Sequence, residues 1–219
     1  MRTLFVTAME MESQAVEAGL DVACGDVIAG GVGRVNAAAS TTQTVLERGP
    51  YDAVISIGVA GALPDRGIKI RDIMVATSCI YFEEGLITDD GFADLGSMGL
   101  TLGDFPSNAV PVDTALRTAL SGIMTSGPIA TVATCSGSDA AAAEVVDRTG
   151  AIAEAMEGAA VVHAARRLGV AAIEIRSISN LTGTREFQKW DLPGALAVLT
   201  AAMPEVVDAI AAAVDHTTG

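Results

Sequence analysis

The chain has 219 residues and a formal net charge of −14 at pH 7, and half of its residues are apolar. This length fits one domain over residues 1–219, and the apolar fraction excludes an intrinsically disordered chain. The negative charge disfavours binding to nucleic acid or to anionic membranes, because both are themselves negatively charged.

Short β-branched runs alternate with longer, alanine-rich runs along the chain. Strands are predicted at 3–8, 26–31, 52–58, 72–81, 127–136, 151–157 and 170–179. Helices are predicted at 35–48, 112–121, 138–148, 158–168 and 192–214, and residues 82–111 are predicted to be one long irregular stretch. The alternation predicts an α/β protein built as a three-layer sandwich.

The N-terminal segment and the pattern of cysteines predict a cytoplasmic protein. The apolar run at 3–8 is too short for a signal peptide, and the segment 195–214 contains Pro204, Glu205 and Asp208, which predicts a surface helix rather than a membrane span. The three cysteines are odd in number and unpatterned, which predicts reduced thiols: Cys24, Cys79 and Cys135. We expect no metal site, because His163 and His216 have no clustered partners.

Carboxylates follow two of the predicted strands, where ligands of open α/β folds bind. Glu10 and Glu12 come after the first strand, and they also fit an ordinary acidic first turn of a helix. Glu157 ends an apolar strand in "EAMEGAA". A buried carboxylate needs a partner, so Glu157 is a candidate either for ligand binding or for a structural pair with Arg176.

Two further candidates have simpler interpretations. "GGVGRVN" has Gly31 and Gly33 in the spacing of a dinucleotide loop, but Asn36 occupies the position of the third glycine. A tight turn, or a backbone wall for a small ligand, therefore fits better than a dinucleotide site. Cys135 has no histidine in a supporting motif and is more simply a small buried residue.

Five short segments at these strand ends occur in a recognisable order: "AMEMES", "GGVGRVNAA", "SIGVAGAL", "AMEGAAVVHAA" and "IRSISN". Together they resemble the purine nucleoside phosphorylase and nucleosidase superfamily, nearest to its hydrolytic branch. The resemblance implies a mixed central sheet flanked by helices, a small nucleoside substrate, no cofactor, and a homo-oligomer of two or more chains.

The resemblance also implies a role for individual residues. Glu12 matches the catalytic glutamate that holds the attacking water, Glu157 matches the glutamate that binds the ribose hydroxyls, and Arg176 matches the arginine close to both. Further matches line the ribose and the purine: Met156, Ala60, Gly61, Cys135 and Ser136.

One residue departs from the adenine-specific pattern. Where the 5'-methylthioadenosine/S-adenosylhomocysteine nucleosidases have an aspartate that can protonate N7, this chain has Asn180. An amide cannot act as a general acid, but it can donate to O6 and N7 of a 6-oxopurine. With "SNLTGTREFQKWDLPGAL", this resembles the futalosine hydrolase branch, which releases hypoxanthine from futalosine in menaquinone biosynthesis.

Alternative functions stay open at the level of sequence. An adenine-type nucleosidase, an oxopurine nucleoside phosphorylase using Arg34 or Arg66, and an inactive nucleoside-binding protein each remain candidates. For the 5' substituent of futalosine, an aromatic keto-acid, we predict an apolar slot and a cationic partner, either from the stretch 82–111 or from the region of Arg185 and Lys189.

Overall fold

The structure is a computed structural model that describes residues 1–21 and 24–215, so that His216 lies outside the described residues. Its ten strands are β1 Thr3–Thr7, β2 Gly25–Ala29, β3 Ala53–Ala62, β4 Ile73–Tyr81, β5 Gly85–Thr88, β6 Gly91–Asp94, β7 Ala109–Pro111, β8 Thr125–Thr131, β9 Ala153–Ala155 and β10 Ala171–Leu181. Its six α-helices are α1 Glu10–Gly19, α2 Arg34–Arg48, α3 Thr114–Ser121, α4 Asp139–Thr149, α5 Gly158–Arg167 and α6 Leu192–Asp215. One 3-10 turn spans Arg185–Phe187.

The central sheet is mixed and runs in the order β10-β4-β8-β9-β3-β1-β2, with β7 beside β4. Because β10 also pairs with β3, the strands β3, β9, β8, β4 and β10 close into a ring, and β1 and β2 extend it from β3. Helices α1, α3 and α6 pack together on the sheet, and α2 and α5 form a second packed pair. The predicted α/β fold with a central sheet and flanking helices is confirmed, and the mixed sheet agrees with the resemblance.

The central strands form because their side chains are apolar on both faces. β3 is buried along almost its whole length, and β10 is buried from its second residue to Asn180. Strands covered on both sides are expected to read as continuous apolar runs, as these do. A buried charge within such a strand, such as Arg176, is therefore exceptional.

Three sequence predictions of secondary structure are wrong in detail. The strand predicted at 127–136 ends at Thr131, so Cys135 and Ser136 lie in the loop that follows it. The stretch 82–111 contains the β5–β6 hairpin and β7 rather than irregular chain alone. Helix α1 is missing from the predicted helices, although Glu10 and Glu12 already fit its acidic first turn.

Helix α6 is longer and more apolar than a surface helix requires. Its segment Leu192–Val214 has a mean hydropathy of 1.7 over its most apolar window and by length and composition alone could cross a membrane. Leu199, Met203, Val206 and Ile210, however, are fully buried against the rest of the fold. Their spacing is that of one helical face, which identifies α6 as a helix that packs on the core along one side.

Candidate active site

Three buried charged side chains from different elements meet beside β3. Glu12 comes from the first turn of α1, Glu157 from the residue before α5, and Arg176 from the middle of β10. The Arg176 side chain is only 2 % exposed, and its Nη2 lies 3.5 Å from Glu157 Oε2. Three residues that the resemblance assigns to one site are therefore adjacent in the structure.

Backbone N–H groups hold the Glu12 carboxylate in place. Ala8 and Met9 each donate to Oε2 at 3.0 Å, and Val59 donates to Oε1 at 2.9 Å. Hydrogen bonds from three backbone donors stabilise a charged carboxylate in a buried position. The same contacts fix its direction relative to the end of β3.

Gly58 lies between Glu12 and Arg176, and a residue with a side chain would meet both of them at this position. It is paired with Arg176 across β3 and β10, and a Cβ atom at this position would collide with Glu12 Oε1 and lie 2.9 Å from Arg176 Nη1. A glycine is required here because two charged side chains occupy the space that any larger residue would need.

A third carboxylate, Glu174, was not singled out from the sequence. It is fully buried, its Oε1 accepts from Arg176 Nε at 2.8 Å, and a Cβ at Gly158 would collide with it. Its Oε2 has no hydrogen-bond partner among the described residues. The sequence could have indicated Glu174 as a partner of Arg176, because residues two apart in a strand share a face and Glu174 precedes Arg176 by two.

The carboxylates keep Arg176 charged in spite of its burial. Desolvation opposes the charge, but Glu174, Glu157 and Glu12 outweigh it and raise the pKa of the guanidinium above its ordinary value. An isolated buried charge would be strongly destabilising, so this cluster is stable only as a unit.

Glu157 also connects the cluster to the glycine-rich loop after β2. Its Oε1 accepts from the Gly33 backbone N–H at 2.9 Å, and Gly31 and Gly33 both have positive φ angles near 90°. The segment is therefore a tight strand-to-helix turn that presents a backbone donor, in agreement with the simpler sequence interpretation.

A cavity of about 350 Å³ lies next to this cluster, along the same two strands. Gly58 and Gly61 of β3 are three residues, or about 10 Å, apart. The cavity is lined by Gly61, Cys135, Ser136, Gly137, Glu154, Asn180, Arg185, Gln188 and Trp190. The charged cluster and the cavity therefore follow one another along β3 and β10, towards the carboxyl ends of these strands.

A β-bulge directs Asn180 into the cavity. Ile178 pairs with Ala60 and Asn180 pairs with Gly61, which leaves Ser179 as the extra residue. Such bulges re-aim side chains near functional sites. Ser179 Oγ donates to Asn180 Oδ1 at 3.0 Å, and Asn180 Nδ2 donates to the Leu181 carbonyl at 3.3 Å.

The other predicted ligand contacts are distributed around the same site. The Ala60 carbonyl accepts from Ser179 Oγ, and Met156 is half-buried beside Glu157. Cys135 is exposed at the rim of the cavity, so the expectation of a buried residue is wrong. Partial desolvation and the carboxylates of Glu154 and Glu157 raise the pKa of its thiol, which is opposite to what an activated nucleophile needs.

Several other candidates are engaged elsewhere. Arg34 forms ion pairs with Glu83 and Glu84, and His163 packs edge-to-face against Tyr81 and Phe105. Within residues 1–21 and 24–215, no group of three or more histidine, cysteine, aspartate or glutamate residues could hold a metal ion.

Comparison with known proteins agrees with this arrangement. Residues 22–215 match the Phosphorylase superfamily. The chain is 36 % identical to a futalosine hydrolase of Acidothermus cellulolyticus, over 90 % of this chain and 86 % of that protein. It is 35 % identical to a futalosine hydrolase of Streptomyces coelicolor, over 81 % of this chain and 76 % of that protein.

Solved structures agree with the fold. The structure of the 5'-methylthioadenosine/S-adenosylhomocysteine nucleosidase of Helicobacter pylori superposes with a TM-score of 0.77. The match covers 95 % of this chain and 98 % of that chain, at 22 % identity. At this identity the likeness concerns the fold alone.

The chain belongs to the Phosphorylase superfamily. Within that superfamily it is an N-glycosidic hydrolase, a purine nucleosidase of the group that contains the futalosine hydrolases and the methylthioadenosine nucleosidases. Its substrate is accordingly a nucleoside.

Replacing Gly58 by alanine should displace Glu12 or Arg176, and we expect the rate of base release from a purine nucleoside to fall about 100-fold, the scale typical of a catalytic group misplaced by about 1 Å. The rate is measured by chromatography of the released base. Gly122→Ala, at the end of α3 with φ −74°, is the matched control and should keep the wild-type rate. A folded Gly58→Ala variant with the wild-type rate would contradict the requirement for glycine.

Proposed function

We propose that this chain hydrolyses futalosine to hypoxanthine and dehypoxanthine futalosine, a step of menaquinone biosynthesis. The observation that carries the proposal is Asn180, a carboxamide in the cavity where an adenine-specific nucleosidase would need a proton donor. The names of the relatives that are 35 and 36 % identical support the same substrate.

We assign the charged cluster to the ribose and the water, and the cavity to the base. Cleavage of an N-glycosidic bond passes through a cationic, oxocarbenium-like sugar. Glu12 holds the attacking water as general base on the face opposite the base, and Glu157 binds the 2'- and 3'-hydroxyls. Met156 packs against the ribose, and the carboxylates stabilise the positive charge as it develops.

Arg176 orients the two carboxylates rather than neutralising the site. Its guanidinium lies 3.5 Å from Glu157 and approaches Glu12 next to Gly58. Its Nε donates to Glu174, which balances its charge. One guanidinium faces three carboxylates in this cluster, so the excess charge is negative. This charge favours a sugar cation and opposes a phosphate ion, which supports hydrolysis over phosphorolysis.

The arginines that could have served a phosphate are unsuited to it. Arg34 is held by Glu83 and Glu84, and Arg66 is exposed in the loop after β3. Arg185 lines the cavity that we assign to the base, and its Cζ lies 4.9 Å from the centre of the Trp190 ring. We therefore propose that Arg185 covers the bound base. Lys189 is then the remaining predicted partner for the carboxylate of the 5' substituent.

We propose a homo-oligomer of two or more chains, as the sequence resemblance implies, and exposed apolar residues are candidates for its contacts. Val35 is 82 % exposed at the start of α2, Ile87 is 84 % exposed in the hairpin, and Phe187 is 80 % exposed beside the cavity. Such residues mark a protein contact where they form one contiguous apolar patch. We further propose that the enzyme acts in the cytoplasm without a cofactor.

Base release tests the proposed function directly. Futalosine, inosine and 5'-methylthioadenosine are each incubated with the enzyme, with and without phosphate, and the free bases are separated by chromatography. We expect hypoxanthine from futalosine at a rate independent of phosphate. Adenine from 5'-methylthioadenosine would instead favour the adenine-type nucleosidase, and release from inosine only with phosphate would indicate a phosphorylase.

Replacing Glu12 by glutamine should remove the general base but keep the volume of the side chain. We expect kcat to fall by about 10²- to 10⁴-fold while substrate still binds in calorimetry. Glu10→Gln, two residues earlier and exposed, is the matched control with the wild-type kcat. Unchanged turnover in Glu12→Gln would exclude Glu12 from the mechanism.

Replacing Asn180 by aspartate should introduce a group that can protonate N7. We expect the ratio of kcat/KM for 6-oxopurine over 6-aminopurine nucleosides to fall about 10-fold or more, because aspartate loses the donor for O6. The two substrates are compared on the same enzyme preparation, so the ratio is independent of its active fraction. A constant ratio would contradict the role of Asn180 in selectivity.

A further inference from the structure

Glu154 and Asn180 face each other across a glycine in the base cavity. Asn180 of β10 pairs with Gly61 of β3, and Glu154 of β9 pairs with Gly61 from the other side. Residues opposite each other in paired strands project from the same face of a sheet. The two polar side chains therefore stand about 10 Å apart, two strand spacings, with Gly61, which also lines the cavity, between them.

Glu154 is a buried carboxylate without a cationic partner. It is 4 % exposed, and no Lys, Arg or His forms an ion pair with it in the part of the chain that the structure describes. Desolvation raises the pKa of its carboxyl, while the bonds from Ser136 oppose that rise. Since burying an unpaired carboxylate is costly, its position in a cavity wall indicates a ligand that donates to it.

Glu154 also engages both hydrogen-bond donors of Ser136, its neighbour in the cavity wall. The Ser136 backbone N–H donates to Oε1 at 2.7 Å, and the Ser136 hydroxyl donates to Oε2 at 2.6 Å. Both donors of Ser136 are thereby committed to Glu154. The carboxylate oxygens retain further lone pairs, so this wall offers acceptors.

The two purine types differ at the atom that such a wall would meet. A 6-oxopurine carries a hydrogen on N1 and is a donor there, whereas the N1 atom of a 6-aminopurine is an acceptor. A carboxylate attracts the first and repels the second. Asn180 would meet O6 and N7 on the neighbouring edge of the same base.

We propose that Glu154 is a specificity-determining residue that accepts a hydrogen bond from N1–H of a 6-oxopurine. The inference rests on the proposed release of hypoxanthine and adds a second selective contact to that of Asn180. Discrimination then comes from two strands that both pair with β3, one reading O6 and N7 and the other reading N1.

Replacing Glu154 by glutamine tests this contact while the shape of the side chain is kept. Glutamine can keep the bond from the Ser136 N–H and turn its NH2 group toward N1, which reverses the hydrogen-bonding preference of the wall. We expect the 6-oxo to 6-amino ratio of kcat/KM to fall about 10- to 100-fold, as for loss of one hydrogen bond to a charged group. Glu205→Gln, exposed on α6, is the matched control and should keep the wild-type ratio.

A binding experiment on the wild-type enzyme keeps the test independent of how well the variant folds. Hypoxanthine and 1-methylhypoxanthine are compared by calorimetry, since the methyl group removes the N1 donor. We expect hypoxanthine to bind at least about 10-fold more tightly. Equal binding of the two bases, or an unchanged ratio in a folded Glu154→Gln variant, would overturn the inference.

Failure of this inference is distinguishable from failure of the proposed function. If Glu154 has no selective role, the wild-type enzyme still releases hypoxanthine from futalosine and only the Glu154→Gln ratio stays constant. If the proposed function is wrong, the wild-type enzyme releases no hypoxanthine from futalosine, whatever the two bases and the Glu154→Gln variant show.

Discussion

The buried guanidinium of Arg176 is the interaction on which the rest of the site depends. A charge in the middle of a covered strand is tolerated only when opposite charges and hydrogen bonds surround it. Glu174, Glu157 and Glu12 provide them, and glycines at positions 58 and 158 leave the space that these side chains occupy. The register of β10 on β3, the start of α1 and the start of α5 are all constrained by this one cluster.

Backbone N–H groups, together with the buried side chain of Arg176, hold the two carboxylates to which we assign chemistry. Glu12 accepts from the backbone of Ala8, Met9 and Val59, and Glu157 accepts from the backbone of Gly33. Groups fixed in this way need not reorganise when a positive charge develops on the sugar. The packing of the fold and the electrostatics of the reaction therefore depend on the same contacts.

The base cavity lies over the strands β9, β3 and β10, which are paired at Gly61. Gly61 of β3 leaves room for the side chains of Thr182 and Asn180, and the bulge at Ser179 sets the direction of Asn180. The loop after β8 and the turn at Arg185–Phe187 border the cavity. The polar groups left on its walls are few, and each has a defined donor or acceptor character. Selectivity in such a cavity follows from that character more than from its size.

The sequence by itself determined the α/β class and the seven main strands, because apolar periodicity is a local property of the chain. Its short motifs, through their resemblance to a known family, singled out Glu12, Glu157, Arg176 and Asn180 as candidates. Glu174 could have been found from its spacing to Arg176. The role of Glu154 and the requirement for Gly58 were decided only by tertiary structure. Each depends on which residues stand opposite each other in strands distant along the chain, and a one-residue bulge changes that register.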